Sequence, residues 1–317
     1  MRAVAVLKTG DTPELMELPV PRPAPGEVLV AMSAASVNPI DVGIAGGYFE
    51  GQFPHVFPLV LGVDGAGRVS EVGEGVRGLE PDDVVHGQFL RAPMGNGTFA
   101  DYAVVTQFPD SGALQRVPDG MSAEIAAALP TSGMTALGAI EAMGLRAGQS
   151  ILIVGATGGV GVFAVQLAAA LGAEVIATAR PDADAWIRQL GASETIDYTA
   201  VDVAEQARRT HPGGIDAFFD LSRDQDGFSQ CAGLVRDAGV AVSATFTATP
   251  ELLASERIAV SNFTMRDKPD LLARITAQAA SGRITVPTQQ TVTLDQVPDA
   301  LARSTAGGAR GKTIVRI

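Results

Sequence analysis

A single cysteine, Cys231, stands among 317 residues. That excludes a disulfide within the chain and any cysteine-rich structural zinc site. Cys231 itself reads as a buried small hydrophobe rather than a nucleophile. Histidine is nearly as scarce: His55, His86 and His211 are scattered without ligand-like spacing, so no metal is expected. Positive charge is short, with 23 Lys and Arg against 35 Asp and Glu and a net charge of −12. The broad basic surface that nucleic acid demands is therefore missing, and an anionic ligand needs a local positive site. Long apolar runs are absent too. The most apolar stretch, 160–170, contains Gln166, is closed by Gly172, and is too short to span a membrane. The opening MRAVAVLKTG has no charged head ahead of an apolar stretch, so no secretory signal is read and a cytoplasmic location is expected.

What is present is a length suited to two domains and an apolar share of 46%, built from small and aliphatic residues with only 5% aromatics. The first third is rich in Gly, Pro and short β-prone runs: 2–7, 27–32, 67–72, 83–86 and 100–105. Many short strands with turn punctuation predict a compact, β-rich, barrel-like domain. His55 falls in the apolar segment FPHVFP, read as a loop. The character changes near Asp119. Segments 122–129 and 135–143 are helical in composition, with Ser122 a plausible N-cap. From Gln149 strands and helices alternate, with strands at 151–154, 175–178, 195–197, 217–221, 240–244 and 258–263, which predicts a doubly wound parallel sheet. The tail, 290–317, is strand–helix–strand and is expected to return to the first domain. The boundaries read as 1–121 with 267–317 for the β-rich domain and 122–266 for the parallel-sheet domain.

The strongest local feature is Gly155-Ala156-Thr157-Gly158-Gly159-Val160-Gly161, which follows a strand and opens a helix. A tight turn without Cβ atoms lets a pyrophosphate approach the backbone and meet unpaired N–H groups at a helix N-terminus. The spacing is GxxGxxG rather than GxGxxG, so the loop carries one extra residue. The next strand ends Thr178-Ala179-Arg180, with no carboxylate until Asp182. A carboxylate there would hold a ribose 2′-hydroxyl and repel a 2′-phosphate, whereas an arginine fork grips the phosphate. NADPH is therefore the expected cofactor, and the bland alternative is that Arg180 is a solvated surface residue.

Several segments together resemble the quinone oxidoreductase branch of the medium-chain dehydrogenase/reductase superfamily, the alcohol dehydrogenase-like family. They are Val37-Asn38-Pro39-Ile40-Asp41, Leu61 to Val69 (LGVDGAGRV), Leu129 to Ala136 (LPTSGMTA), the glycine loop, and Gly311-Lys312. The resemblance runs through nearly the whole chain in the expected order. It implies a GroES-like catalytic domain plus a Rossmann domain, with the active site in the cleft between them. Zinc-dependent relatives place a Cys at the position of Asn38 and a His at that of Val63, and carry a four-cysteine lobe missing here. The resemblance therefore implies the zinc-independent branch.

Without a metal, a polarised acceptor is easier to reduce than an alcohol is to oxidise. Quinones and enones fit, needing orientation, a dry cleft and a hydrogen-bond donor to the developing oxyanion. By resemblance, Tyr48 is the candidate donor. The alternative packs its ring on Phe53 or Phe57. Asn38 is the second catalytic candidate, orienting the nicotinamide ribose or the substrate, or else a turn residue before Pro39. Thr135 is a nicotinamide-side contact or a plain N-cap. Lys312 contacts cofactor or substrate, or lies on the surface. Phe246 sits near the nicotinamide by fold analogy, or in the core. The reaction expected is hydride transfer from NADPH to a quinone-type acceptor, with enone or alkenal double-bond reduction as the alternative. A non-catalytic NADPH-binding sensor or structural protein is the reading from another class. An acyl-chain enoyl reductase of a larger synthase is a weaker option, against which the termini read as those of a free-standing chain. Relatives pair the edge strands of their Rossmann sheets, so a homodimer through 258–263 is expected.

Overall fold

The computed structural model describes residues 1–107, 113–265 and 270–317. The chain divides into two compact units. The first holds Met1–Met134, Arg266–Ser281 and Thr288–Ile317, and the second holds Thr135–Met265 and Gly282–Pro287.

Along the chain, the first unit supplies β1 (Arg2–Val6), β2 (Glu14–Glu17), β3 (Glu27–Val37), α1 (Pro39–Ala45), β4 (His55–Val60), β5 (Asp64–Val72), β6 (Val84–Gln88), β7 (Met94–Asn96), β8 (Tyr102–Thr106), β9 (Leu114–Arg116) and α2 (Ala123–Ala128). Helix α3 (Pro130–Met143) begins in this unit and continues in the second. The second unit follows with β10 (Ser150–Val154), α4 (Gly161–Ala170), β11 (Glu174–Thr178), α5 (Asp184–Gln189), β12 (Glu194–Ile196), α6 (Val203–Thr210), β13 (Ile215–Asp220), α7 (Gln225–Ala232), β14 (Val235–Ser243), α8 (Pro250–Leu253) and β15 (Ala259–Asn262). The tail adds α9 (Leu271–Ala280), β16 (Thr288–Thr293), α10 (Val297–Thr305) and β17 (Lys312–Arg316) to the first unit.

Among the described residues the first unit has two sheets, ordered β16-β17-β3-β5-β6-β9 with β8 also on β3, and β2-β1-β4-β7. Strand β3 organises it. It runs five residues past the alternating segment 27–32, because neighbours rather than propensity sustain the small-residue stretch Ser33 to Val37. Its first half pairs with β8, its second half with β17, and β5 flanks its other edge. Ala34, Ala35 and Ser36 are wholly buried as a result. Gly67 on β5 must lack a side chain, since a Cβ there would sit 2.2 Å from the Ala31 carbonyl oxygen.

Two readings change, and one helix is added that the sequence did not mark. The segment around His55 is strand β4, pairing β1 and β7, rather than a loop. Residues 39–45 are a helix, with Pro39 in its first turn where no N–H is needed. The units divide at 134/135 rather than 121/122, because Ala126 and Ala127 pack on Ala34 and Ala66 of the first unit. The other boundary, expected at 266/267, lies outside the described residues.

The second unit is a parallel sheet in the order β12-β11-β10-β13-β14-β15. Strand order reverses between β10 and β13, the position at which such sheets open a crevice beyond their carboxyl ends. Central strand β10 is apolar (SILIV) because it is covered on both faces, and α4 is buried from Gly161 through Ala168. No helix among the described residues is long and apolar enough to cross a membrane.

His86, on β6, is fully buried and pairs through Nδ1 with the Ala126 carbonyl at 2.9 Å. Burial pushes its pKa down from 6.5 to about 4. Between those values the unfolded chain binds a proton that the folded chain refuses, so stability is complete above pH 6.5 and falls as pH drops towards 4. The shift corresponds to about 3 kcal/mol at the acid end. Urea unfolding at pH 7 and pH 4.5 should show a smaller acid loss for His86→Gln than for the native sequence. Equal losses would mean that His86 titrates normally.

Candidate functional site

The glycine loop follows the carboxyl end of β10 and opens α4. Gly155 adopts φ +80°, and a Cβ on it would press on Leu221 at 3.0 Å. A Cβ on Gly161 would fall 2.4 Å from the Gly155 carbonyl oxygen. A Cβ on Gly158 would meet the Gly155 carbonyl oxygen at 3.4 Å, and the Gly158 amide donates to that same carbonyl at 3.1 Å. Thr157, Gly158, Gly159 and Val160 are all half-buried. Among the described residues, the amides of Gly159, Val160 and Gly161 have no protein acceptor. This is a cradle with the shape and polarity of a phosphate site: bare backbone, donors outward, and the positive end of a buried helix behind it.

The second strand is tied to that cradle. The Thr178 hydroxyl accepts from the Gly155 amide at 3.0 Å. Two residues on, Arg180 is exposed and donates through Nε to the Tyr198 hydroxyl at 2.9 Å, with its guanidinium carbon 5.9 Å from the Tyr198 ring centroid. The exposed guanidinium thus stands against an aromatic partner just past the end of β11. The Tyr198 bond raises the Arg180 pKa further.

The first unit holds a different kind of polar centre. Lys312, at the start of β17, is buried and donates to Asn38 Oδ1 at 2.7 Å, Ser132 Oγ at 2.9 Å and the Val37 carbonyl at 3.4 Å. The Asn38 amide nitrogen donates to Asp64 Oδ2 at 3.0 Å and the Ser36 carbonyl at 3.1 Å. Asp64 also accepts from Thr131, at 3.0 Å from its amide and 2.7 Å from its hydroxyl. Asp41 takes the amides of Asn38 and Val63 at 2.7 and 3.0 Å. Burial pushes Asp41 up to about 8, against the pull of those two amides, and raises Asp64 as well. Burial lowers Lys312, while the two acids oppose that fall.

Residues 24–119 match the family described as alcohol dehydrogenase GroES-like domain, and residues 190–315 that described as zinc-binding dehydrogenase. The chain is 34% identical over 257 residues to the mitochondrial NAD(P)H oxidoreductase RTN4IP1 of Mus musculus, a stretch covering 75% of this chain and 62% of that protein. It is 36% identical over 193 residues to the chloroplast envelope quinone oxidoreductase homolog of Arabidopsis thaliana, covering 58% of this chain and 56% of that one. The matched stretches thus span less than two thirds of either relative. The solved quinone oxidoreductase of Coxiella burnetii superposes with a TM-score of 0.86 at 26% identity, covering 100% of this chain and 99% of that chain. The chain belongs to the medium-chain dehydrogenase/reductase superfamily, in its quinone oxidoreductase-like branch.

Within this medium-chain reductase fold, a GroES-like domain and a Rossmann-like parallel sheet, the expected residues part company. The glycine loop, Thr178 and Arg180 come together at the carboxyl edge of the sheet. Asn38 does not have the free amide expected of it, because all its hydrogen-bonding capacity is spent on Ser36, Asp64, Ser132 and Lys312. Lys312 is neither on the surface nor free for a cofactor, since its three donors are all taken inside the first unit. Thr135 is no N-cap: α3 starts at Pro130, and its hydroxyl lies 3.3 Å from the Met265 sulfur. Tyr48 is 57% exposed and its ring packs edge-on against Phe49, not Phe53 or Phe57. Its hydroxyl has no hydrogen-bond partner among the described residues. Phe246 is no core residue, being 55% exposed with φ +62°. Val63 packs in the apolar cluster with Leu61 and Phe99. Among the described residues, no group of three His, Cys, Asp or Glu could hold a metal ion. Burial pushes the Cys231 thiol up to about 12, so it stays protonated.

Sequence reasoning missed Tyr198. Tyr198 lies 18 residues beyond Arg180, just past the end of β12, the strand paired beside β11, and nothing local marks it. Removing the Lys312 ammonium leaves Asp64 buried without its cation. Lys312→Met should cost about 3–5 kcal/mol of unfolding free energy in urea. A loss under about 1 kcal/mol would show that the hydroxyls and amides alone hold the cluster.

Proposed function

We propose that this chain is an NADPH-dependent oxidoreductase that reduces a quinone-type acceptor without a metal. The observation that carries the reading is the pairing, on one sheet edge, of a bare-backbone phosphate cradle with an outward arginine at the end of β11. The loop amides would hold the pyrophosphate, and Arg180 beside Tyr198 would hold the ribose 2′-phosphate. NADPH, when bound, supplies the hydride. No carboxylate ends β11, so nothing there favours a free 2′-hydroxyl. The relatives named NAD(P)H oxidoreductase and quinone oxidoreductase support the same chemistry. The metal-free reading rests on the donor set, because Asn38 is saturated and Val63 offers no ligand.

Arg180→Ala should weaken NADPH binding by roughly 10–150-fold and leave NADH binding nearly unchanged. Fluorescence titration of both cofactors checks this, and equal affinity of the native protein for NADPH and NADH would refute the preference.

Tyr48 supplies the donor to the acceptor oxygen in this reading. Its unpartnered hydroxyl favours a second one, enone or alkenal reduction, where the developing enolate needs more help than a quinol oxygen does. In an NADPH-oxidation screen over quinones, enones and aldehydes, Tyr48→Phe should lower kcat by ~100–1,000-fold on enones and less on quinones. Native kcat on every accepted substrate would reduce Tyr48 to packing. No oxidation of NADPH with any acceptor would favour a cofactor-binding sensor instead.

We also propose a homodimer through β15, which ends its sheet with an outer edge lacking a strand partner among the described residues. A second copy would cover that edge. Light scattering at micromolar concentration should give twice the chain mass, and a monomer would count against the pairing.

A further inference from the structure

Asp220 is the last residue of β13, fully buried, with Val154 of β10 and Ser243 of β14 as its register partners. It therefore sits at the carboxyl edge of the sheet, one strand from the glycine loop. Among the described residues it has no cationic partner. Hydroxyls and one amide surround it instead. One carboxylate oxygen accepts from the Ser222 amide at 3.0 Å and the Ser222 hydroxyl at 2.6 Å. The other accepts from Thr247 at 2.6 Å, Thr245 at 3.1 Å and Ser243 at 3.4 Å. The Ser243 hydroxyl in turn accepts the amides of Thr245 and Thr247, both at 3.1 Å. Asn262 of β15 closes the exit of the loop, exchanging bonds with the main chain of Ala248.

This clamp has a visible consequence. Thr245 and Thr247 are both turned inward to the same carboxylate oxygen, so the residue between them is forced outward. That residue is Phe246, at φ +62°, a conformation a bulky side chain rarely adopts, and more than half exposed. A large apolar side chain held in a strained backbone on the surface has no packing rationale, and such strain persists only where the surroundings over-determine it. A buried carboxylate without a cation is equally hard to explain by stability, since an apolar residue would continue the run Ala217-Phe218-Phe219 at lower cost. The two costs account for each other if the carboxylate exists to shape the loop.

We infer that Asp220 is a positioning residue: by gathering the hydroxyls of Ser243, Thr245 and Thr247 it fixes the loop after β14 so that Phe246 projects as a rigid wall for the nicotinamide end of the cofactor. The assignment rests on the function proposed above. Neighbouring strands are about 4.8 Å apart, so the loop after β14 starts roughly 10 Å from the glycine loop after β10, within the span of a dinucleotide lying across the switch point. Asp220 acts through Phe246, because its own carboxylate is enclosed.

The test begins on the ligand-free protein. Hydrogen exchange of residues 244–248 should be slow in the native chain and at least tenfold faster in Asp220→Asn, whose amide group cannot accept all of these hydroxyls. Thr247→Val should open the same segment, and Thr247→Ser should restore it. These milder variants decide the matter if Asp220→Asn does not fold. On the loaded enzyme, Asp220→Asn should lower kcat by roughly 10–100-fold while NADPH affinity changes less than about threefold, since the cradle and Arg180 are untouched. Combined with Phe246→Ala, the losses should not multiply. Native exchange in 244–248 of the variants, or fully multiplicative losses, would overturn the inference. A native protein that neither binds nor oxidises NADPH would overturn the proposed function instead, while the exchange arm would still decide whether the clamp shapes the loop.

Discussion

The ammonium of Lys312 is a fully buried cation in the interior of the first unit, and the polar centre of that unit is arranged around it. It arrives on the last strand, 274 residues from Asn38 in sequence, and joins β17 to the end of β3 and to the start of α3. Its acceptor Asn38 is held in turn by Asp64 and Ser36, Asp64 by Thr131, and the turn into α1 by Asp41. An isolated buried charge would be costly, but a charge whose partners are each hydrogen-bonded again is tolerated and fixes register. Two carboxyl groups and one ammonium would leave an uncompensated negative charge if all were ionised. Burial relieves this by pushing Asp41 up to about 8, so that the cluster carries one proton more near neutrality.

The parts of this molecule visible in its sequence are those in which local pattern and final environment coincide. Strands of the parallel sheet are apolar because both faces are covered, and helices between them end at Gly172 and Gly191, so the alternation could be read directly. The glycine loop was legible for the same reason: its requirement for bare backbone is met within seven consecutive residues. Strand β3 shows the limit. Its alternating half was visible, whereas Ser33 to Val37 is a strand only because β17, β5 and their neighbours enclose it.

The centre of the first unit was illegible because its members are far apart in sequence. Asn38, Asp64, Ser132 and Lys312 meet across separations of 26, 94 and 274 residues, and none has a local signature of burial. Lys312 looked like the polar position of an ordinary strand. Asn38 looked available because an amide before a proline is commonly exposed in a turn. Asp220 was hidden differently. The run Ser243-Ala244-Thr245-Phe246-Thr247 has the composition of a solvated loop, and its hydroxyls acquire a purpose only when β13 and β14 pair in register.

The two units therefore handle polarity in opposite ways. The first buries Asp41, Asp64 and Lys312 and pairs each of them inside the unit, leaving Tyr48 as the polar candidate that still faces outward with an unpartnered hydroxyl. The second leaves its donors open: amides of the glycine loop, the terminal nitrogens of Arg180, and an aromatic held out by a closed carboxylate clamp. In an acidic chain of net charge −12, an anionic ligand finds attraction only where positive groups are left unsatisfied. Closing the bonds of Lys312 keeps one cation inside the first unit, while the open amides of the loop stand at the carboxyl edge of the parallel sheet.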